Sequence, residues 1–428
     1  MREQPADHPR GISRRDILRV TGAAAVAAIA GGYSSGAQAA AKPIKVGASV
    51  SLTGRYARSG EEMYKGYTLW AENLNKMGHS FGKDKLPNAS ATGLLGRPVE
   101  LIVLDDRSDP TTGVQLYNEL IHNRRVDLLL GPYSSAVSLA VAPIIERNQI
   151  PAPIPMAASS AIWIGRHLQW QVQVPANGSA RLPGVIEFAK DHGDQKVAIV
   201  YEDTEFPRSV VAGLRDRVKK AGLQIVQDEA YPTGITDWTA IVQRAKSAGA
   251  TVLTGGGYLP DALGITRAVR ALNYKPHILS LLTGVALPDF IQTLGDGALT
   301  ATGDADWVTD VSFPGAAEFT QGFQGHFGHP PDYHAAAGYG GAQLLEEAVR
   351  RAGTISDLEK VRNVMFEMQT TTIFNSYHVA PLSSPDSGMQ LDATRFMLQV
   401  QKDKNGKLYS PVVYPSNAAK ASWIYPFA

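Results

Sequence analysis

Hydroxyl-bearing and small residues follow two apolar runs of the sequence, at points where a buried strand would end. Gly131–Ser135 leads directly into a helical pattern, and Met156–Ser160 follows the next run along the chain. A serine hydroxyl and the free amide groups of a helix N-terminus can together bind a carboxylate, and a small residue lets a ligand approach the backbone. The pattern predicts a carboxylate site containing Ser135 and Ser159, unless each serine only caps its own helix.

Aromatic and basic side chains follow other apolar runs and could complete such a site. Tyr133, Phe206 and Tyr258 each come shortly after a run, and together they predict the wall of an apolar pocket. Arg55 and Arg58 follow the first run and could neutralise an anion. Each of these residues also has an ordinary structural use, so the predicted site depends on their lying close together.

Two clusters are candidates for catalysis or metal binding, and both have structural weaknesses. The acidic cluster Asp105–Asp109 lies in a segment with Arg, Ser and Pro, which favours a solvated turn and a helix cap over a catalytic carboxylate pair. The histidines of His326–His334 have loosely metal-like spacing, but glycines and prolines interrupt the helix that would align them. The fingerprints G-x-S-x-G, P-loop and G-x-G-x-x-G are absent from the sequence. We therefore expect no enzyme activity, no metal and no cofactor.

The elements that must position these residues are short Val-, Ile- and Leu-rich runs, which alternate with longer amphipathic segments. Apolar runs without strict alternation are typical of parallel strands covered on both faces. The predicted strands fall in two series: Ile44–Val50, Val99–Leu104, Leu128–Leu130 and Ala152–Ile154, then Val197–Tyr201, Leu223–Val226, Thr251–Leu253 and His277–Leu281.

Helical patterns fill the intervals between the runs. The predicted helices are Glu61–Met77, Pro110–Asn123, Ser135–Arg147, Arg208–Gly222, Trp238–Ala248, Asp261–Leu272, Tyr339–Arg351 and Ile355–Met368. Asp109 is placed as the N-cap of the second helix, with Pro110 in its first turn. Gly78–Gly96 is polar and glycine-bearing, which predicts an inserted surface loop. The order of the elements predicts an α/β fold with two parallel sheets, each with helices on both faces.

The last part of the chain departs from this alternation. Phe396–Gln401 and Leu408–Val413 flank Asn405-Gly406, a dipeptide that favours a tight hairpin turn. The pattern predicts a hairpin that adds an antiparallel edge to one sheet.

The N-terminal residues predict export. Ser13–Arg19 contains a twin-arginine motif, a weakly apolar run follows over Val20–Ala30, and Ala37-Gln38-Ala39 offers the small residues that a signal peptidase recognises. This order resembles a bacterial twin-arginine (Tat) signal, which predicts residues 1–39 as a removable signal and not a membrane anchor. The apolar run is shorter than the roughly 20 residues that span a bilayer.

The composition agrees with an exported protein that has no nucleic-acid partner. The chain of 428 residues has 41 basic and 40 acidic residues, a balance that does not favour binding to nucleic acid or an anionic membrane surface. It contains no cysteine, so it has neither disulfides nor a thiol to carry a lipid. We expect a freely soluble protein without direct membrane insertion.

The ordered series of motifs resembles the type 1 periplasmic solute-binding proteins of ABC importers, in particular the leucine/isoleucine/valine-binding family. The motifs that carry the resemblance are Ile44–Gly47 and Leu52–Gly54, the Glu61–Asn75 segment with Gly66, Asp105-Asp106, Asp109-Pro110, Leu130–Pro132 and Tyr258–Asp261. It extends along essentially all of the chain after the signal.

The resemblance implies a two-lobed fold with three hinge crossovers, which we place near Pro175–Ser179, Thr300–Asp306 and Ala380–Gly388. Lobe 1 would then comprise residues 44–176 and 305–382, and lobe 2 residues 177–303 and 385–428.

The resemblance also implies ligand contacts at particular positions. The carboxylate-binding position matches Ser135, the next contacts match Ala157 and Ser159, and the contact at the entrance of the first helix matches Ser59. The aromatic contacts from lobe 2 match Phe206 and Tyr258.

One position departs from the family pattern. The acidic residue that pairs with the ligand ammonium in branched-chain amino-acid binders is replaced here by Thr283. A buried, unpaired ammonium is costly. Either another acid (Glu202, Asp203 or Glu205) replaces it, or the ligand has no α-amino group.

The sequence-based hypothesis is therefore a periplasmic protein, expected to be monomeric, that captures a small carboxylate and delivers it to a membrane permease. The ligand would be a branched-chain-type amino acid or a related aromatic or aliphatic acid. Two alternatives stay open at this point: an exported cofactor-containing enzyme, and a sensor module that presents its ligand to a membrane receptor.

Overall fold

Two groups of parallel strands organise residues 41–428, the part of the chain that the computed structural model describes. The predicted export signal lies outside these residues and stays a prediction. The strands are β1 Ile44–Val50, β2 Val99–Asp105, β3 Leu128–Leu129, β4 Ala152–Ile154, β5 Gln171–Gln173, β6 Lys196–Glu202, β7 Gln224–Tyr231, β8 Val252–Gly256, β9 Ile278–Leu281, β10 Thr302–Ala305, β11 Thr370–Thr371, β12 Ser376–Tyr377, β13 Phe396–Gln399, β14 Gln401–Lys402, β15 Leu408–Tyr409 and β16 Val412–Tyr414.

The sheets correspond to the two lobes of the predicted fold. In the first lobe β1 lies between β2 and β3 in a parallel sheet, and β4 and β5 form a parallel pair. In the second lobe seven strands follow the order β16-β13-β10-β9-β8-β6-β7. The strands from β7 to β10 in this order are parallel, whereas β13 and β16 add an antiparallel edge.

Helices lie between the strands and cover the sheets. They are α1 Ala57–Met77, α2 Pro110–Asn118, α3 Ser135–Asn148, α4 Ser160–Trp163, α5 Val185–Asp191, α6 Glu205–Ala221, α7 Thr239–Ser247, α8 Leu259–Ala271, α9 Pro288–Leu294, α10 Ala316–Phe327, α11 Tyr333–Ala352 and α12 Leu358–Glu367. A π-helical turn, Glu119–Asn123, continues α2. Asp109 caps α2 as predicted, because its carboxylate accepts the Thr112 N–H at 2.7 Å.

The core of the first lobe is centred on the contact between α1 and α11. A β-carbon on Gly66 would lie 2.2 Å from the Ala335 carbonyl oxygen, and one on Gly338 would lie 2.3 Å from that of Met63. Only glycine allows the two helix backbones to come this close. Nearly all of α11 is buried as a result.

The eight strands of the two predicted series and all eight predicted helices are present. Most ends agree within about four residues, but α11 begins at Tyr333 and not Tyr339, and β7 ends at Tyr231 and not Val226. The sequence analysis missed the strands β5, β10, β11 and β12 and the helices α4, α5, α9 and α10. The predicted hairpin is confirmed: β14 pairs antiparallel with β15 around Asn405-Gly406, and β13 with β16 forms the antiparallel edge.

The Gly78–Gly96 segment is an inserted loop, but it is not wholly a surface loop. Ser80 and Lys83 are buried, and the Lys83 ammonium contacts the Glu347 carboxylate of α11 at 2.6 Å. The segment therefore packs against the helix and contributes polar contacts to the first lobe.

The chain passes between the two lobes three times. It does so between β5 and β6, after β10, and between Gln390 and β13. The third passage lies later than the predicted Ala380–Gly388, because this segment packs on β5: the Gln173 N–H donates to the Gly388 carbonyl at 2.8 Å. The exact lobe limits stay a prediction. In residues 41–428 we find no helix with the length and apolarity needed to cross a membrane.

Candidate functional site

A small cavity lies where the two lobes meet, at the C-terminal ends of their strands. Its eight lining residues are Tyr133, Ser134, Ser135 and Met156 from the first lobe and Arg181, Phe206, Tyr258 and Thr283 from the second. Five of these are predicted site residues. The cavity volume is about 20 Å³, enough for roughly one water molecule. The lobes are closely apposed, and residues 41–428 form one compact unit.

The two serines at the start of α3 have different roles: one caps the helix and the other lines the cavity. Ser134, not Ser135, is the N-cap of α3, and its hydroxyl accepts the Val137 N–H at 3.2 Å. The Ser135 hydroxyl is thereby free of capping, lines the cavity and accepts the Ser159 N–H at 3.2 Å. A serine hydroxyl that accepts one hydrogen bond can still donate its own proton, so Ser135 can donate to a carboxylate.

The other first-lobe predictions lie around the cavity without lining it. Ser159 is the N-cap of the short helix α4 and accepts the Ala161 N–H at 3.3 Å, as its structural interpretation predicts. Ala157 is fully buried in an apolar cluster of the first lobe. Ser59 lies in the first turn of α1, and its side chain forms a hydrogen bond with Tyr133. Burial raises the pKa of Tyr133, and this hydrogen bond acts in the opposite direction.

The three predicted aromatic residues do form one wall, and a fourth joins them. The ring centroids of Phe206 and Tyr258 are 6.2 Å apart, and Tyr56 lies 4.7 Å from Tyr258 and 5.7 Å from Tyr133. Tyr56 comes from the first lobe and Tyr258 from the second, so the wall crosses the boundary between them. Such rings offer a flat apolar surface to a planar or branched ligand body.

Arg181 is the functional candidate that the sequence analysis missed. It is 1% exposed, lines the cavity, and pairs with the buried carboxylates of Asp304 and Asp306. Its guanidinium carbon lies 5.7 Å from the Phe206 ring centroid. Within residues 41–428 its Nε atom is buried without a hydrogen-bond partner. No local pattern in the sequence predicts this role of Arg181, because both acids lie more than a hundred positions away along the chain.

Thr283 also lines the cavity, and its hydroxyl donates to the Gly257 carbonyl at 3.3 Å. Of the three acids considered as replacements at this position, Asp203 and Glu205 pair with Arg208 on the outer side of α6. Only Glu202 is fully buried.

The Glu202 carboxylate is occupied by an arginine from the opposite lobe. Arg55 lies 2.7 Å from it and 3.3 Å from Asp261. Burial and the nearby Asp261 raise the pKa of Glu202 to about 7, although Arg55 opposes this rise. The group is a buried ion pair that joins the two lobes beside the aromatic wall.

Arg58 makes a second contact of this kind. It pairs with Asp332 at the start of α11 and, at 2.7 Å, with Asp289 of α9 in the second lobe. Arg55 and Arg58 therefore connect the lobes to each other and do not line the cavity.

The clusters considered for catalysis or metal binding have structural partners. Asp106 is fully buried, accepts the Ser51 hydroxyl at 2.7 Å, and has a pKa raised by burial. His334 is buried, and its Nε2 lies 3.3 Å from the Tyr133 hydroxyl. Over residues 41–428 no group of His, Asp and Glu has an arrangement able to hold a metal ion.

Comparisons with known proteins agree with this architecture. A family model described as periplasmic binding protein matches residues 43–405. The chain is 26% identical over 333 residues to Leu/Ile/Val-binding protein homolog 8 of Brucella abortus, an alignment that covers 73% of this chain and 77% of the relative.

Two solved structures share the fold. One is a solute-binding protein of an ABC transporter from Rhodopseudomonas palustris in complex with 3,4-dihydroxybenzoic acid, with a TM-score of 0.74, 21% identity, and coverage of 88% of this chain and 98% of that one. The other is a leucine-binding protein from Thermotoga maritima, with a TM-score of 0.72, 22% identity, and coverage of 87% and 99%.

Proposed function

The chain belongs to the periplasmic binding protein family, and from this premise we propose that it is the periplasmic solute-binding component of an ABC importer. It captures a small carboxylate with an apolar or aromatic body and no α-amino group, and presents it to a membrane permease. The family match and the two structural relatives, one named for leucine and one holding an aromatic acid, support a small carboxylate with an apolar or aromatic body. The absence of an α-amino group is inferred from the residues of this chain alone.

The observation that carries the proposal is the charge pattern of the small cavity. Arg181 is the only charged residue among its eight lining residues, and the others are hydroxyl-bearing, aromatic or apolar. The Nη1 and Nη2 atoms of Arg181 pair with Asp304 and Asp306, but within residues 41–428 its Nε–H has no hydrogen-bond partner. This remaining donor and the Ser135 hydroxyl together suit a carboxylate. Tyr133, Phe206 and Tyr258 suit the apolar body that accompanies it.

The same pattern disfavours an ammonium group. Thr283 stands where an acid would be needed, and Glu202, the one fully buried acid of the three considered as replacements, is paired with Arg55. Binding an ammonium at Glu202 would require displacing the Arg55 guanidinium that already contacts it, at a cost in free energy. An acid without the amino group avoids that cost.

Ligand entry requires the lobes to separate. A cavity of about 20 Å³ is far below the roughly 150 Å³ that holds a benzene ring. We propose that the lobes rotate about the three passages, admit the acid, and close over it. A ligand shifts the equilibrium between the open and closed forms only to the extent that it binds the closed form more tightly than the open form.

The test compares acids that differ only in the amino group. Purified protein is titrated calorimetrically with leucine and 4-methylpentanoate, and with phenylalanine and 3-phenylpropionate. We expect the acid without the amino group to bind more tightly in each pair, and an excess of 100 times its Kd to stabilise the fold by about 2.7 kcal/mol. Tighter binding of the amino acids would refute the ligand class, and binding of none of the four would refute the carboxylate site.

Variants locate the site. Ser135→Ala removes one hydrogen bond to a charged group, which is worth about 1.5–3 kcal/mol, so we expect an affinity loss of roughly 10- to 100-fold. Tyr258→Ala should also weaken binding. Ser138→Ala is the matched control, because Ser138 is buried one turn further along α3 and does not line the cavity. Unchanged affinity in both site variants would contradict the assignment.

A further inference from the structure

A second and much larger cavity lies between the same two lobes. Its volume is about 450 Å³, within the range of roughly 300–1,000 Å³ that is typical of small-molecule sites. Trp307 and Tyr333 line it from one side, and Leu398, Pro411 and Val412 from the other. The walls are therefore mostly apolar and belong to elements that move apart when the lobes separate.

The two cavities share their dividing elements. The short 3₁₀ turn Thr283–Ala286 places Thr283 in the small cavity and Ala286 in the large one. Tyr333 lines the large cavity. Burial raises the pKa of its hydroxyl, and Thr283 and Tyr133, which line the small cavity, are close enough to affect that pKa as well. A thin partition, formed by one turn and one side chain, separates the two spaces.

The Tyr333 hydroxyl points to a ligand at this partition. The side chain is 2% exposed, and within residues 41–428 no atom lies at hydrogen-bonding distance and angle from its hydroxyl. The neighbouring Thr283 hydroxyl, which is near enough to affect the pKa of Tyr333, donates its proton to the Gly257 carbonyl. A buried hydroxyl without a partner is costly, commonly by about 1–3 kcal/mol. A polar group of a ligand that passes between the cavities would satisfy it.

The charged side chains that line the large cavity are paired with other charged side chains, which favours an uncharged ligand group in its interior. Asp332 is paired with Arg58. Asp310 lies 3.9 Å from Lys420, and the side chains of Asp310 and Lys420 are each more than half exposed. The volume is about three times the roughly 150 Å³ that holds a benzene ring. It suits an aryl or branched apolar body joined by a chain to a carboxylate.

We propose that the large cavity is a distal compartment of the ligand site, which receives the apolar end of an elongated carboxylate such as an arylalkanoate. The carboxylate end lies beside Arg181 and Ser135, and Tyr333 is the movable partition between the two ends. This inference rests on the proposed function and extends it from a small acid to a longer one.

The experiment uses a short acid and a long acid on the same protein. Binding of 3-phenylpropionate and 6-phenylhexanoate is measured calorimetrically for the full chain and for Ser410→Trp, which places an indole in the large cavity. Lys407→Trp is the matched control, because Lys407 is exposed in the same hairpin and does not line the cavity. Circular dichroism and a thermal melt establish that both variants fold.

We expect the wild type to bind the long acid at least as tightly as the short one. Ser410→Trp should weaken the long acid at least 10-fold and the short acid less than 2-fold, and Lys407→Trp should change neither. The inference is overturned if the short acid binds and the long acid does not, or if Ser410→Trp affects both acids equally or neither. Binding of neither acid to the wild type would overturn this inference, and the proposed carboxylate function would fall with it only if 4-methylpentanoate, leucine and phenylalanine also fail to bind.

Discussion

Replacing Glu202 with glutamine should make the protein more stable at pH 8 and leave its stability nearly unchanged at pH 4. Glu202 is fully buried at the end of β6, 2.7 Å from Arg55 of the opposite lobe. Burial, and then the charge of Asp261, raise the pKa of Glu202 from an ordinary value of 4.5 to about 7. Glutamine has the shape of the protonated side chain and cannot ionise.

The sign and the size follow from proton linkage. The folded protein binds the Glu202 proton more tightly than the unfolded chain, so the free energy of unfolding falls as the pH rises from about 4.5 to about 7. At about 1.4 kcal/mol per pH unit, the fall is about 3–3.5 kcal/mol. The attraction of Arg55 is already included, because it acts on the same pKa. Glu202→Gln should therefore gain up to about 3.5 kcal/mol over the wild type at pH 8.

The assay is urea unfolding at pH 4, 5, 6, 7 and 8, followed by tryptophan fluorescence and circular dichroism in the absence of ligand. Glu205→Gln is the matched control: it lies three residues later, is partly exposed, and pairs with Arg208, so its pH dependence should follow the wild type. The reasoning is refuted if Glu202→Gln retains the pH dependence of the wild type, or if it is destabilised equally at every pH.

Two further predictions concern the packing of the first lobe, and both are measured by urea unfolding. Gly66→Ala should lower the free energy of unfolding by about 3 kcal/mol, because its β-carbon would lie 2.2 Å from a backbone carbonyl of α11. Gly325→Ala, at a helical site where a β-carbon would have no atom within 4 Å, should leave the stability unchanged or raise it by up to about 1 kcal/mol. Equal effects would contradict the close contact of the helices. Lys83→Met should lower the free energy of unfolding by about 1–3 kcal/mol, because it removes the buried ammonium partner of Glu347 and leaves that carboxylate paired with Arg351 alone. Lys65→Met, which removes a partly exposed pair, should cost less than about 1 kcal/mol, and an equal loss in both variants would show that the buried pair is not the more stabilising one.

The strands and longer helices could be predicted because their signals are local. Ile44–Val50 is mostly apolar and rich in Val and Ile, and Asp109-Pro110 marks a helix start within two residues. β5, Gln171–Gln173, gave no such signal, because its buried glutamines contact groups that are distant in sequence. The Gln171 amide donates to the Ala142 carbonyl at 3.1 Å, and the Gln173 side chain accepts the Gln390 N–H at 3.2 Å.

The candidate site shows the same division. Tyr133 and Ser135 could be placed together because both follow β3 directly, at the end of a parallel strand, where ligands of such sheets bind. The capping role could not be divided between Ser134 and Ser135 from sequence, since both precede an equally good helix. The structure assigns the cap to Ser134 and leaves the Ser135 hydroxyl in the cavity.

The sequence by itself determined the alternation of strands and helices, the antiparallel hairpin, and the hydroxyl and aromatic residues that follow the strands, because each depends on neighbouring residues. Only the tertiary structure decided that Arg181 is the charged residue lining the small cavity. It also decided that Glu202 is paired with Arg55 and is therefore not available to bind a ligand. These outcomes depend on pairs from different lobes or from distant parts of one lobe. Burial then makes each pairing obligatory, because an unpaired charge in the interior costs too much free energy to persist.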